Sequence, residues 1–149
     1  MPKASKLSNY ESEKLKKTQN SSLRNTFYKI FKIGSVSTRD LAIFSAHFSL
    51  LLSSGVDIIT TLNILKEDGR HKHFQKNLDE IINLVKTSHA LSDAFAHFPG
   101  SFPPFFISMI RTGELGGSLD QILSDLSIYY EEEADFKDEF IQILLYPIL

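Results

Sequence analysis

The 149-residue sequence contains no cysteine. This absence excludes disulfide frameworks, thiol nucleophiles and thiolate metal sites together, and it is typical of a reducing compartment. The first residues also lack an apolar run of signal-peptide length, so we expect the amino terminus to stay in the cytoplasm. The length and the 42% apolar content suffice for one sizeable core, which predicts a single domain.

Basic residues are scarce after Ser35. Eight of the sixteen Lys and Arg come before that point, beside two Glu, and the rest of the chain carries eight Lys and Arg against sixteen Asp and Glu. An acidic body disfavours nucleic-acid binding, because Lys and Arg supply most of the affinity for phosphates. We therefore expect no direct nucleic-acid partner. Residues 1–35 are predicted to be a basic, mostly flexible segment, with a short amphipathic stretch at 23–34 that contacts lipid or a partner, or packs on its own domain.

Apolar residues recur at helical spacing in six segments that follow the basic region, and no alternating strand pattern of useful length competes with them. Ser37 or Thr38 is a candidate N-cap of the first helix, Asp57 is a candidate N-cap of the second, and Gly55 suits the left-handed end of the first. The short connections favour an all-α antiparallel bundle of about six helices, which we assign to residues 36–139.

The stretch RTGELGGSLDQIL, residues 111–123, places three glycines around Glu114. It lacks the Lys-Ser or Lys-Thr pair of a Walker loop and the GxGxxG of a dinucleotide site, so it is not interpreted as a phosphate-binding loop. Ser118 and Gln121 have the spacing of a capping box, which makes this stretch a corner between two helices. Glu114 has no second acid, base or nucleophile at definable spacing, and we expect it to anchor the corner through nearby backbone amides or Arg111, with contact to a partner as the alternative.

A second interruption is the turn FPGSFPPF, residues 98–105, after which Pro103 or Pro104 is placed to start the fifth helix. A left-handed residue is expected at one of the paired glycines of the corner. The residues that we predict to be structural in these motifs are Gly55, Pro99, Pro103, Gly113, Glu114, Gly116, Gly117, Ser118 and Leu119.

Five histidines raise the hypothesis of a metal site, but only His71 and His73 are close in sequence. Side chains at i and i+2 of a helix diverge by about 200°, so these two rings would not share one ligand sphere. We expect both to be exposed, and we expect His47, His89 and His97 to be partly buried packing residues. No metal and no other cofactor is predicted.

Two long stretches carry a resemblance to a known family. FSAHFSLLLSSGVDIITTLNIL and LSDAFAHFPGSFPPFFISMIRTGELGGSLDQILSDLSIYYEEE resemble the cytoplasmic domain of the type II secretion F family, the polytopic platform proteins of type II secretion, type IV pilus and competence pseudopilus machines. The resemblance covers residues 37–149. It implies a six-helix bundle on the cytoplasmic face of the bacterial inner membrane, often paired with itself, which works beside an assembly ATPase and catalyses nothing.

A run of carboxylates follows the corner motif, at Glu131, Glu132, Glu133, Asp135, Asp138 and Glu139. Clustered carboxylates suit calcium, which takes six to eight oxygen ligands, but charge runs are more commonly the solvated face of a helix. A third interpretation is contact with a basic surface of the ATPase. The first four of these residues are the candidate partner contacts.

The sequence departs from the family pattern at its end, because members normally continue through a membrane helix into a second related domain. Residues 140–149, FIQILLYPIL, are uncharged but make up only half of the roughly twenty residues needed to cross a bilayer. We expect them to begin a first transmembrane helix that continues the sixth helix, and the protein to extend beyond Leu149. The alternative is a C-terminal segment that packs on the core of a complete soluble protein.

Two functions remain open from the sequence. The first is a non-enzymatic platform that couples the assembly ATPase to pilin-like subunits and other inner-membrane components, in protein or DNA transport. The alternative is a free-standing soluble helical regulatory or interaction module. A hydrolase is disfavoured because no nucleophile and base are paired. Twelve phenylalanines are more than one small bundle easily hides, which predicts self-association as a homodimer or higher oligomer.

Overall fold

The computed structural model describes residues 36–146 of the chain. The basic segment with its amphipathic stretch and the last three residues lie outside the described residues. The all-α prediction is confirmed for the described part, which contains six α-helices and one 3-10 turn. These elements are α1 (Thr38–Ser53), α2 (Ile58–Glu67), the 3-10 turn (Gly69–His71), α3 (Gln75–Lys86), α4 (Leu91–Ala96), α5 (Pro104–Gly116) and α6 (Leu119–Leu145).

The first two helices begin at the predicted caps. The Ser37 hydroxyl accepts a hydrogen bond from the Asp40 amide at 3.1 Å, and the Asp40 carboxylate accepts one from the Ser37 amide at 3.0 Å, which completes a capping box. Asp57 accepts from the Thr60 amide at 3.0 Å in the same way at α2. Gly55 has a φ of +88°, so the chain leaves α1 through a left-handed residue as predicted.

The core is built around phenylalanine. Phe102, which belongs to the Phe-Pro turn, has its ring centroid 4.5 Å from that of Phe95 and 5.3 Å from those of Phe74 and Phe106. Aromatic contacts of this kind add about 0.5–1.5 kcal/mol each to the burial of apolar area. The turn therefore supplies the centre of the core rather than only a connection. The fully buried phenylalanines are Phe44, Phe48, Phe74, Phe95, Phe102 and Phe106.

The first and last helices pack side by side. α1 makes its most extensive contact with α6, which also packs on α5. Near the end of α1, the Ser49 hydroxyl donates to the Asp120 carbonyl at the start of α6, at 2.7 Å. Near the start of α1, Arg39 reaches Asp135 in the second half of α6. These two contacts show that α1 and α6 run antiparallel.

α6 leaves the core before it ends. Its buried residues stop at Ala134, and every described residue from Asp135 onward is exposed. Phe136 and Phe140 stack on one another on this exposed part, with ring centroids 6.5 Å apart. Within residues 36–146, no helix has both the length and the apolar composition needed to cross a bilayer.

Candidate functional site

The glycine corner joins α5 to α6 with a close backbone approach. Gly117 has a φ of +66°, and the Gly113 carbonyl accepts hydrogen bonds from the amides of Gly117 and Ser118. A β-carbon on Gly113 would lie 3.0 Å from the α-carbon of Leu119, a distance that real β-carbons essentially never undercut. Gly116 remains in the helix and has room for a β-carbon. The left-handed residue is therefore Gly117, and the closely packed residue is Gly113.

The predicted capping box at Ser118 is wrong. The Ser118 side chain makes no capping hydrogen bond, and Gln121 instead donates to Asp125 at 3.0 Å. The physical reason is the backbone of Ser118, with φ −125° and ψ 39°, because a side-chain cap normally needs an extended N-cap residue.

Glu114 connects the corner to the short helix α4. Its carboxylate accepts hydrogen bonds from the backbone amides of Leu91 and Ser92, the latter at 3.0 Å. α4 has no side-chain cap of its own, so Glu114 satisfies two of the free amides at its start. The prediction that Glu114 binds backbone amides is correct in kind, but the amides lie more than twenty residues earlier in the chain. Arg111 does not pair with Glu114 and donates to Asp93 at 3.0 Å.

The acidic run on α6 is partly neutralised by α1. Arg39 donates to Asp135 at 2.8 Å and to Asp138 at 3.1 Å. Lys137 pairs with Glu133 at 2.8 Å and donates to the Thr38 hydroxyl at 2.9 Å. These contacts are largely exposed and so contribute little stability each, although those of Arg39 and of Lys137 with Thr38 link α1 to α6.

The remaining acidic side chains of the run are not paired. Glu131, Glu132 and Glu139 are exposed, and no ion pair among residues 36–146 includes any of them. The carboxylates of the run do not form a converging group of three metal-ligand atoms within the described residues. The calcium interpretation of this run therefore has no support within the described residues.

The prediction that His71 is exposed is wrong. Its side chain is 1% exposed, and its Nε2 lies 2.9 Å from Nδ1 of His47 on α1 and 3.9 Å from Oδ2 of Asp68. The i and i+2 argument compared His71 only with His73, which is exposed as predicted. The partner of His71 comes from a different helix, 24 residues earlier.

The other two histidines are also placed differently from the prediction. His89 and His97 are exposed rather than partly buried. Each turns its Nδ1 onto a nearby backbone carbonyl, that of Leu84 at 3.1 Å and that of Asp93 at 2.9 Å. His89 follows the end of α3 and His97 follows the end of α4, where carbonyls lack an intrahelical partner and accept such bonds.

Burial sets the charge state of the histidine pair. It lowers the pKa of both His47 and His71 below 6.5, and the neighbouring His47 lowers that of His71 further. Arg70 acts in the same direction on both rings, whereas Asp68 raises both values and Asp40 raises that of His71. The hydrogen bonds of Arg70 hold the pKa of Asp68 well below its usual range. At neutral pH the cluster thus contains two neutral imidazoles and one carboxylate.

This charge state predicts a stability that falls in acid. The unfolded histidines take up a proton near pH 6.5, whereas the folded pair does so only at lower pH. The free energy of unfolding should therefore decrease as the pH drops from about 6.5 toward the lowered pKa values of the folded histidines. Urea unfolding in EDTA at a series of pH values measures this slope. His47→Gln should reduce the slope and His73→Gln, at an exposed site, should preserve it. An equal slope in the parent and His47→Gln would contradict the prediction.

Residues 36–146 thus form an all-helical domain in which the corner and the interhelical contacts join six helices. The family model described as Type II secretion system (T2SS), protein F, matches residues 44–149, and the chain belongs to this family.

Individual relatives agree with this membership. The chain is 28% identical over 116 residues to the type IV pilus assembly protein PilC of Myxococcus xanthus, which covers 78% of this chain and 28% of the relative. It is 27% identical over 122 residues to the type II secretion system protein F of Aeromonas hydrophila, a match that covers 82% of this chain and 31% of that protein. It is 29% identical over 119 residues to the protein of the same name from Vibrio cholerae, a match that covers 80% of this chain and 29% of that protein. The chain thus spans about three tenths of the length of these relatives.

Proposed function

We propose that this chain is the cytoplasmic domain of a non-enzymatic inner-membrane platform protein in a type II secretion, type IV pilus or competence pseudopilus machine. The observation that carries the proposal is the family match, which includes most of α1 and every later helix of the bundle. In this role the domain couples an assembly ATPase to pilin-like subunits and other inner-membrane components, for protein or DNA transport. Such coupling requires surfaces that hold partners and requires no catalytic group.

The surface proposed for the ATPase is the acidic side of α6. Glu133 pairs with Lys137, and Asp135 pairs with Arg39. Because their charges are already paired, these two carboxylates are less available to a partner. Of the four candidate contacts, Glu131 and Glu132 are the exposed carboxylates that no ion pair within residues 36–146 includes. A basic surface on the partner would be attracted to these two carboxylates, which accelerates association more than it strengthens the final complex.

The proposed membrane end is the last part of α6. We assign residues 36–139 to the cytoplasmic bundle and residues 140–149 to the start of a membrane helix. The support is that α6 crosses residue 139 without a break and that Phe140, Ile143 and Leu144 beyond it are exposed apolar side chains. Exposed apolar residues in a row are typical of a surface that lipid or another chain covers. A second copy of the chain is the proposed partner for Phe136, one turn earlier.

The test is binding of the assembly ATPase from the same genome to this chain and to the full-length protein in detergent. Surface plasmon resonance should detect binding whose association rate falls with salt. We expect the double variant Glu131→Lys, Glu132→Lys to slow association by about tenfold or more, because reversing rim charges acts on electrostatic steering. Glu80→Lys, which reverses one exposed charge on α3, should leave the rate within about twofold.

The result that would overturn the proposal is the absence of ATPase binding by both the domain and the full-length protein. Binding that both charge variants leave unchanged would retain the platform role and reject the acidic surface. Reading the gene beyond codon 149 adds an independent check, because a stop codon there would contradict the proposed membrane helix.

A further inference from the structure

Three potential metal ligands converge between α1 and the 3-10 turn. Nδ1 of His47, Nε2 of His71 and a carboxylate oxygen of Asp68 all lie within 4.8 Å of one another. Among residues 36–146, no other group of three histidine or carboxylate side chains does so. The proposed platform function uses none of these residues, so the cluster needs a separate explanation.

The surrounding core holds the ligands in place. The His71 ring lies edge-on to Phe44 with centroids 5.6 Å apart, and it is almost completely buried. His47 lies on α1 between the buried Phe44 and Phe48, so its ring is carried by a helix and not by a loop. Asp68 ends α2 and starts the 3-10 turn, and it accepts a hydrogen bond from the Arg70 amide at 3.0 Å. Each ligand therefore has a fixed backbone.

The spacing of the ligand atoms is close to that of a tetrahedral site. Zinc bonds of 2.0–2.1 Å place neighbouring ligand atoms about 3.3 Å apart. The two nitrogens stand 2.9 Å apart, and the carboxylate oxygen is 3.9 Å from Nε2 of His71. Because all three ligand atoms lie within 4.8 Å of one another, reaching that spacing requires a shift of about 0.4 Å between the two nitrogens and of at most about 1.5 Å at the carboxylate. His47 and Asp68 are partly exposed, so water can take the fourth position.

The protonation states and the second contact of Asp68 also suit a metal. Metal ligands must be deprotonated, and at neutral pH both rings are neutral while Asp68 is ionised, so a metal would require only that the proton shared by the two facing nitrogens move to the other nitrogen of its ring. Arg70 donates to both oxygens of Asp68, at 2.7–3.1 Å. Carboxylates that bind metals are commonly hydrogen-bonded in this way, which orients them. The charge of Arg70 also weakens the attraction of a cation, which indicates a moderate affinity.

We propose that His47, His71 and Asp68 form a binding site for a divalent transition-metal ion such as Zn²⁺. Two imidazoles and one carboxylate match the ligand preference of zinc, cobalt, nickel and copper, whereas calcium and magnesium require more oxygen ligands. A bound ion would connect α1 to the junction of α2 and α3 and so clamp one side of the bundle. This role is structural and is independent of the proposed platform function.

The experiment is isothermal titration of the complete 149-residue chain, purified in EDTA and then freed of it, with Zn²⁺ at pH 7.5. We expect one Zn²⁺ per chain, no binding of Ca²⁺ or Mg²⁺, and a higher thermal midpoint with zinc present. His47→Gln and Asp68→Asn should each weaken binding by at least about tenfold, since changes even outside the ligand sphere cost that much. His73→Gln removes a nearby exposed histidine and should bind zinc as the parent does.

A measurement on the parent chain itself, which needs no substitution, tests the proposal even if a variant fails to fold. In nuclear magnetic resonance spectra, zinc should shift the ring signals of His47 and His71 and leave those of His89 and His97 unchanged. The proposal is overturned if the parent binds no zinc, if His47→Gln binds it equally well, or if the shifted signals belong to the exposed histidines. In those cases the cluster is only a hydrogen-bonded pair of imidazoles.

Discussion

Gly113→Ala should lower the free energy of unfolding by about 1–3 kcal/mol, the usual cost of inserting a methyl group into a well-packed interface. The added β-carbon would lie 3.0 Å from the backbone of Leu119 and 3.2 Å from the side chain of Ile122. Because the nearest atom is an α-carbon and not the tip of a flexible side chain, α5 and α6 would have to move apart. Urea unfolding followed by circular dichroism measures the change.

The control for this prediction is three positions away. Gly116→Ala adds the same methyl group to the same helix, but its nearest neighbour is the Ser118 hydroxyl at 3.4 Å, an ordinary contact. We expect it to be neutral or to stabilise the protein by up to about 1 kcal/mol, because alanine is the better helix former. Equal stability of the parent and Gly113→Ala would show that the helices do not approach as closely as the structure indicates.

Glu114→Ala should lower the free energy of unfolding by about 1.5–3 kcal/mol, the range for hydrogen bonds to a charged group. The substitution removes the acceptor of the amides of Leu91 and Ser92, and both residues are buried, so water cannot easily replace the carboxylate. Glu114→Gln keeps one acceptor oxygen without the charge and should fall between the parent and the alanine variant. The same unfolding experiment ranks the three proteins.

A site-specific measurement separates this effect from a general loss of packing. The amide signals of Leu91 and Ser92 should lose their hydrogen-bonded chemical shifts and exchange faster with solvent in Glu114→Ala. Glu132→Ala, at an exposed position of α6, should change neither the stability by more than about 0.5 kcal/mol nor these two signals. Unaltered exchange at both amides would contradict the capping role of Glu114.

The helices could be predicted from the sequence because the residues that define them act locally. The capping residues Ser37 and Asp57 and the left-handed Gly55 each act within four residues of the helix end that they define. The family resemblance, now confirmed by the match over residues 44–149, rests on the order of such local motifs. Ser118 was the exception, because its spacing to Gln121 fits a capping box but its backbone does not.

The candidate sites were harder to predict from the sequence because their contacts join distant parts of the chain. Sequence spacing places Glu114 near Arg111, but it cannot show that α4 lies within reach of its carboxylate. The histidine pair was missed for the same reason, since His47 and His71 lie on separate elements. One signal was present: His47 falls between Phe44 and Phe48 on the apolar side of α1, where a polar ring needs a buried partner.

The contact between α1 and α6 also constrains the order in which the domain folds. Of the helices within residues 36–146, the one synthesised first finds its largest packing surface on the one synthesised last. Contacts between distant segments form late, because the intervening chain must first be brought together. On the ribosome, α1 therefore keeps an uncovered apolar side until α6 has emerged. The bundle closes only after α6 has been synthesised. The nascent chain is thus exposed to aggregation for longer than a bundle that pairs helices in sequence order.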